Sequence, residues 1–329
     1  MAVTIEDIKK LRKLTSAGLS DCKNALNETN GDMDAAVEIL RQKGKAIAAK
    51  REDREASEGC VLAKAADGFA AIVALKCETD FVAKNATFVE LTEKLLDLAL
   101  NNKLKSVDEL NNLVVDGRTV AELVVEESGK TGEKTEIGAF EYIEAPAVVA
   151  YNHFGNKLST IVGFNKAADE HVLRDVAMQA AAMNPVAVDR NSVPQTVKDS
   201  EYNVAVEKTK EEQVKKAVDN ALQKAGYNLY ICESEEHINE GIMKGRITEE
   251  DAVKIREIKE TVGAEKAAHL PEQMISNIAN GRMNKFYKES CLMEQEFVKD
   301  AKLTVAQYLE SNEKGLAAIT FKRVNLNED

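Results

Sequence analysis

Apolar residues recur at helical spacing through the first 44 positions of the chain. Ile5, Ile8 and Leu11 fall on one face of a first helix. Gly18 breaks the pattern, and Ser20 is placed to cap a second helix carrying Cys22, Ala25 and Leu26 inward. Asn30-Gly31 reads as a turn. Asp32 then caps a third helix with Ala36, Val37 and Leu40 inside and Gly44 at its end. Helices this short bury little, which suits a small docking module. Residues 45–57 are nearly all alanine and charge and read as a helical linker. From 59 to 75 two apolar runs flank Asp67-Gly68, a strong two-residue hairpin signal. The loop CETDFVAKN (77–85) follows. A helix with Phe88, Leu91, Leu95 and Leu98 on one stripe comes next, and Thr119-Val-Ala-Glu122 opens another as a capping box.

The order then repeats. A second hairpin is expected from about Glu136 to Phe164, its later strand Leu158–Phe164, followed by a helix with Val172, Val176 and Met183 inside. Ile72-Val73 lines up with Ile161-Val162, as in a diverged duplication. The copies differ in length: 16 positions separate Ile72 from Phe88, and only 11 separate Ile161 from Val172. The surplus in the first copy is the CETDFVAKN loop, which the second copy does without. From about 195 to 285 the stripes narrow. Val214, Val218, Ala221, Leu222 and Ala225 form one, broken at Gly226-Tyr-Asn228. Thr248-Glu-Glu-Asp251 caps a helix with Val253, Ile255, Ile258 and Val262, and Pro271 starts another with Met274, Ile278 and Phe286. Such stripes predict an antiparallel helical hairpin projecting from the core. Thr304-Val-Ala-Gln307 is a further capping box, and Ala317–Phe321 alternates as a closing strand.

Composition narrows the chemistry. The 329 residues suffice for two or three cores, and only 4 prolines and no tryptophan suit a helical chain. With 44 Lys+Arg against 56 Asp+Glu the net charge is −12, which repels nucleic acid overall. No apolar run is long enough to span a bilayer, and MAVTIEDIKKLRKL has neither the apolar stretch nor the Arg/Ser richness of a targeting segment. A cytoplasmic location is expected. The 5 cysteines (Cys22, Cys60, Cys77, Cys232, Cys291) are odd in number and form no C-x-x-C, as in a reduced protein with buried thiols. Ser128-Gly129-Lys130-Thr131 lacks the glycine of a phosphate loop five residues earlier, where Val124 stands. His153, His171, His237 and His269 have no partner at metal-ligand spacing. No catalytic residue, metal site or cofactor site is expected, and the chain does not read as an enzyme.

Phe81 has two readings. It is a plug folded back on its own hairpin, or a wedge awaiting a partner, with Asp80 supplying a carboxylate beside it. The second copy closes without such residues, which favours the wedge.

At this loop the chain resembles the elongation factor Ts family. Thr79-Asp80-Phe81-Val82-Ala83-Lys84 matches a family signature throughout. Leu14-Thr-Ser-Ala-Gly18-Leu-Ser-Asp21-Cys22-Lys23-Asn24-Ala25-Leu26 resembles another, departing at Ser16, Ser20 and Asn24, where glycine, methionine and lysine are common. Ile278–Phe286 and Gln295–Val298 match where the core resumes. The resemblance implies an α+β fold. It has a ubiquitin-associated-like three-helix module with linker (1–55), a duplicated core (56–140 and 141–200, closed by 271–329) and a helical coiled-coil projection (201–270). It implies a partner, elongation factor Tu in its GDP-bound and nucleotide-free forms, and guanine-nucleotide exchange as the activity. Thr79, Asp80, Phe81 and Val82 would enter beside the nucleotide and dislodge Mg²⁺. The N-terminal module, through Gly18, Asp21 and Lys23, would grip a second surface, and the second core half another domain. Neither nucleic acid nor membrane is implied as a partner, and a homodimer through the projection stays open. The region 201–265 looks longer than the family's usual hairpin. The chain also stops soon after Phe321, without the C-terminal helical module of some members. The competing reading is a structural adaptor acting through its coiled coil, with no effect on nucleotide release.

Overall fold

The computed structural model describes residues 3–15 and 17–328, so Ser16 lies outside the described residues. Packing divides the chain into two units: one runs to Val188 and resumes at Glu296, and the other is Asp189–Gln295.

The first unit opens with α1 (Ile5–Thr15), α2 (Leu19–Glu28) and α3 (Met33–Lys50). Leu11, Cys22, Ala25, Leu26 and Ala36 form their core. Asp32 caps α3 as its position predicts, accepting from the Ala35 amide at 3.0 Å. Ser20 does not cap α2. Gly18 takes the N-cap position, and its carbonyl accepts from the Cys22 amide, so the helix starts earlier and encloses Ser20. Nor does Gly44 end α3, which runs on to Lys50.

β1 (Glu58–Ala66) and β2 (Phe69–Cys77) form the expected hairpin. Asp67 and Gly68 turn it with φ of 48° and 75°, both left-handed, as a two-residue turn matched to strand twist requires. After it come α4 (Asp80–Ala83), α5 (Ala86–Asn101), α6 (Val107–Asn112), the short pair β3 (Val114–Val115) and β4 (Arg118–Thr119), α7 (Val120–Thr131) and β5 (Glu136–Glu144). The capping box at Thr119 and Glu122 is complete. β5 does not begin the second hairpin. It pairs with β2, giving the sheet β1-β2-β5. Ala145 and Pro146 then carry the chain to the other sheet, since proline offers no ladder donor. β2 is buried on both faces: Phe69, Ala71, Val73 and Leu75 pack with Phe88, Leu95 and Leu96 of α5, while Ala70, Ile72 and Ala74 pack with Ile143 and Ile161. This accounts for its unbroken apolar run.

β6 (Ala147–Asn152), β7 (Leu158–Phe164) and α8 (Glu170–Met183) repeat the order hairpin then helix. Val172 and Val176 are buried, but Met183 is 46% exposed at the helix end.

The second unit consists of α9 (Gln195–Lys224), α10 (Leu229–Cys232), α11 (Glu235–Met243), α12 (Glu249–Ala268) and α13 (Glu272–Ser290). α9 packs against both α12 and α13. Val218, Leu222, Cys232, Ile238, Ala252 and Ile255 make a core of their own, so this is more than a two-helix projection over 201–270. Val253 is 59% exposed, with Ala252 taking the inward position. On α13 the buried stripe is Ile275, Ala279 and Met283, one position on from Met274 and Ile278. Residues 271–290, read from sequence as closing core, thus belong to the helical unit.

β8 (Glu296–Phe297), β9 (Asp300–Thr304), α14 (Val305–Asn312) and β10 (Ala318–Asn325) complete the first unit. β10 pairs with β7 in the sheet β10-β7-β6. The duplication therefore extends to the third strand: β5 lies on β2 as β10 lies on β7.

Candidate partner-binding turn

The surplus of the first half is α4 with its two flanks. Thr79 leaves β2 in an extended conformation and caps α4, its Oγ1 accepting from the Val82 amide at 3.4 Å. The same residue is held from outside. Its amide donates to Glu133 Oε2 at 3.0 Å and its hydroxyl to Glu133 Oε1 at 2.6 Å. Glu133 stands just past Gly132, which ends α7 in the left-handed region at φ 72°. A reciprocal bond joins the segments: the Lys134 amide donates to Glu78 Oε1 at 2.7 Å. Arg51, which caps the C-terminus of α3, donates to both oxygens of Glu78 at 3.1 and 2.8 Å. At the far end Asn85 caps α5, accepting from the Thr87 amide at 3.1 Å. Both ends of the turn are therefore fixed.

What the turn presents follows from helical geometry, which puts successive side chains about 100° apart. Phe81 is 84% exposed. Val82, its neighbour, packs against the cluster formed by β1, β2 and α5, and Ala83 is buried there. The plug is Val82; the ring of Phe81 stands in solvent. Asp80 pairs with Lys84 at 2.6 Å, and the hydrogen bond from that ammonium holds its carboxyl below the usual carboxylate range. Asp80 is ionised at neutral pH. An anion and an unburied aromatic ring thus sit side by side on a braced support.

The N-terminal candidates lie elsewhere. Gly18 is the N-cap of α2, Lys23 is exposed, and Asp21 forms an ion pair with Lys43 of α3. Gly18 and Asp21 line a cavity of about 280 Å³ with Leu14, Leu40, Arg41 and Gly129, to which none of Thr79–Val82 contributes. Leu14 and Leu19 beside it are 64% and 53% exposed. Sequence reasoning missed Arg51, Glu78 and Glu133. The only local signal was Gly132 ending a helix just before a carboxylate.

Ser128–Thr131 is the last turn of α7, with Ser128 buried and Gly129 against Gly44, so it is no phosphate loop. No group of three or more His, Cys, Asp or Glu among the described residues is arranged to hold a metal ion. All five cysteines are buried and unbridged. Burial, and after it the negative field of Glu133, pushes the Cys77 thiol up to about 12, which removes it as a nucleophile. No helix among the described residues is long and apolar enough to cross a membrane.

A family model described as elongation factor TS matches residues 78–328, a span that contains the turn, Glu133 and both sheets' third strands. Curated relatives named elongation factor Ts agree end to end. Those of Bacteroides thetaiotaomicron and Phocaeicola vulgatus are each 54% identical over 330 residues, covering 100% of both chains. That of Porphyromonas gingivalis is 46% identical over the same span and coverage.

Proposed function

The chain belongs to the elongation factor Ts family of translation elongation factors, and from that premise we propose that it binds elongation factor Tu in its GDP-bound form and speeds the release of GDP. In this reading Thr79–Val82 enters beside the nucleotide. Phe81 wedges into the partner, Asp80 acts on the bound Mg²⁺ or its ligands, and the nucleotide-free partner is held until new nucleotide expels the factor.

The observation that carries this reading is Phe81, 84% exposed on a turn braced at both ends and absent from the second half of the core. An aromatic ring left in water on a rigid support is what an interface anchor looks like before binding. Magnitudes divide the labour. Loosening GDP about a thousandfold requires about 4 kcal/mol of coupling between the two ligands. Burying one phenylalanine yields about 2–3 kcal/mol and must first offset the loss of freedom on association. The rest has to come from a wide contact, on the order of 1,600 Å². Gly18, Asp21 and Lys23, with the exposed Leu14 and Leu19 near them, supply a second grip in this scheme.

The test is stopped-flow release of a fluorescent GDP analogue from elongation factor Tu, with and without the protein. Acceleration that falls at least about tenfold for Phe81→Ala, which is about 1.4 kcal/mol, supports the wedge. Release unaffected by the protein would instead favour an adaptor.

A further inference from the structure

We infer that Glu133 is the positioning residue of the exchange turn: its carboxylate, anchored to the end of α7, sets the direction in which Asp80 and Phe81 are presented. The inference rests on the exchange reading above and adds to it a residue far from the signature motif. Neither presented side chain is steered by the core. Phe81 is 84% exposed, and the Asp80 carboxylate pairs with Lys84 within its own turn. Their direction is the direction of α4, a single helical turn whose axis is fixed by what holds its ends. At the N-terminal end that hold is Glu133. It takes both the amide and the hydroxyl of Thr79, at 3.0 and 2.6 Å, with one oxygen for each. Bonds to an ionised acceptor are about twice as strong as neutral ones and more directional when paired. The reciprocal bond from the Lys134 amide to Glu78 makes the junction a two-way clasp.

The anchor itself is stiff. α7 runs from its complete capping box at Thr119 to Gly132, and four residues before Glu133 it meets α3 at Gly129. α3 in turn ends on Arg51, which grips Glu78. The helix that closes the N-terminal module and the helix that carries Glu133 thus brace adjacent residues of one turn. A displacement on the order of 1 Å in a group that must meet a reacting site costs about a hundredfold in rate, so such bracing bears on function and not only on stability.

The experiment measures GDP release from elongation factor Tu across concentrations of factor, for the unsubstituted chain, Glu133→Gln, Glu133→Ala and Thr79→Val, with a denaturant melt of each. Glu133→Ala is expected to lower the rate at saturating factor about tenfold, while the half-saturating concentration moves less than about twofold. The wide contact survives and only the turn is misdirected. Glu133→Gln keeps one acceptor oxygen and is expected to restore part of the rate. Thr79→Val removes the hydroxyl from the other side together with the N-cap of α4, so its loss should be at least as large as that of Glu133→Ala, and Glu133→Gln, which leaves the cap intact, keeps the test open if Glu133→Ala fails to fold. An unchanged saturating rate, or a loss that merely follows the folded fraction in the melts, overturns the positioning role. If the unsubstituted chain does not speed release at all, the exchange reading fails instead.

Discussion

Phe81 and Val82 are neighbours in sequence and opposites in environment, and the difference is measurable. Phe81→Ala removes a ring that is 84% exposed and should change folding stability by less than about 0.5 kcal/mol. Val82→Ala removes methyl groups that pack on the core of the first half and should cost about 1 kcal/mol. Denaturant melts of the two variants check this. A loss for Phe81→Ala as large as for Val82→Ala would return the ring to the role of plug. Asp80 carries a second prediction. Its carboxyl is depressed mainly by the hydrogen bond from Lys84. A group whose pKa is lower folded than unfolded contributes above the unfolded value and loses that contribution as pH falls through the folded one. Lys84→Met should therefore move the Asp80 titration upward, read by carboxyl carbon shifts in NMR between about pH 2 and 6. Global stability at pH 7 should barely respond, because both partners are exposed. An Asp80 titration unmoved by Lys84→Met would shift the cause of its depression to the field of Lys157 and the backbone of the turn. The run Thr79–Val82 was legible in the sequence because a surplus of residues followed an otherwise repeated pattern. Its exposure was only half legible, since adjacency alone does not say which of two apolar residues turns inward. Glu133 had only the helix-ending Gly132 before it as a local sign, and nothing in the sequence ties it to Thr79. It lies 54 positions from Thr79, and no local periodicity connects them.

The same split recurs where elements meet. Gly44 reads locally as a helix terminator, yet α3 continues through it because the residue serves a helix crossing and not a cap. A Cβ built on Gly129 would lie 2.4 Å from Gly44 Cα, and one built on Gly44 would lie an ordinary 3.5 Å from Gly129 Cα. The contacts are asymmetric, and so are the expected substitutions. Gly129→Ala must force α3 and α7 apart and should cost about 1–3 kcal/mol. Gly44→Ala meets no clash and gains helix propensity, so it should be neutral or stabilising by up to about 1 kcal/mol. Thermal melts of the pair decide it. If Gly44→Ala were the worse of the two, the crossing would have a different closest approach. Ion pairs reinforce this crossing without defining it: Arg41 reaches Glu126 at 3.3 Å, and Lys45 lies 3.7 Å from Glu122. Elements whose pattern was strong and local were read correctly, among them the Asp67-Gly68 hairpin and the capping boxes at Thr119, Thr248 and Thr304. Those decided by tertiary partners were not. β5 carries apolar residues on both faces, Phe140 and Tyr142 toward one cluster and Ala139 and Ile143 toward the other, and only pairing with β2 tells which sheet it joins. On α13 a stripe of Met274 and Ile278 is as plausible as Ile275 and Ala279 until α9 is in place.

At the scale of the whole chain, helical residues 189–295 are inserted between α8 and β8 of a duplicated core. Both core sheets are built without a strand from them. Gln179 of α8 donates to the carbonyl of Glu296 at 3.1 Å and accepts from the Val298 amide at 2.8 Å, so the returning chain is fastened to the first unit where it re-enters. From there β10 reaches β7 and completes the second sheet. The helical unit in turn has its own buried residues in Val218, Leu222, Ile238 and Ile255. A cut confined to 201–270, the projection expected from sequence, would be misplaced. It would leave α13 in the remainder with Ile275, Ala279 and Met283 stripped of α9, an exposed apolar face and an aggregation hazard. The informative excision removes all of 189–295 and joins Val188 to Glu296 through about ten Gly/Ser residues, a flexible tether that imposes no geometry. The remainder keeps the braced turn, the N-terminal helices and both sheets. It should melt cooperatively and release GDP from elongation factor Tu within about threefold of the full chain, a difference worth under about 1 kcal/mol of coupling. The excised segment, expressed alone, should be helical by circular dichroism and unfold in its own transition. A soluble, folded remainder that no longer speeds release would move part of the active surface into the helices. A remainder that cannot fold would mean that the second sheet depends on them after all, despite the fastening at Gln179.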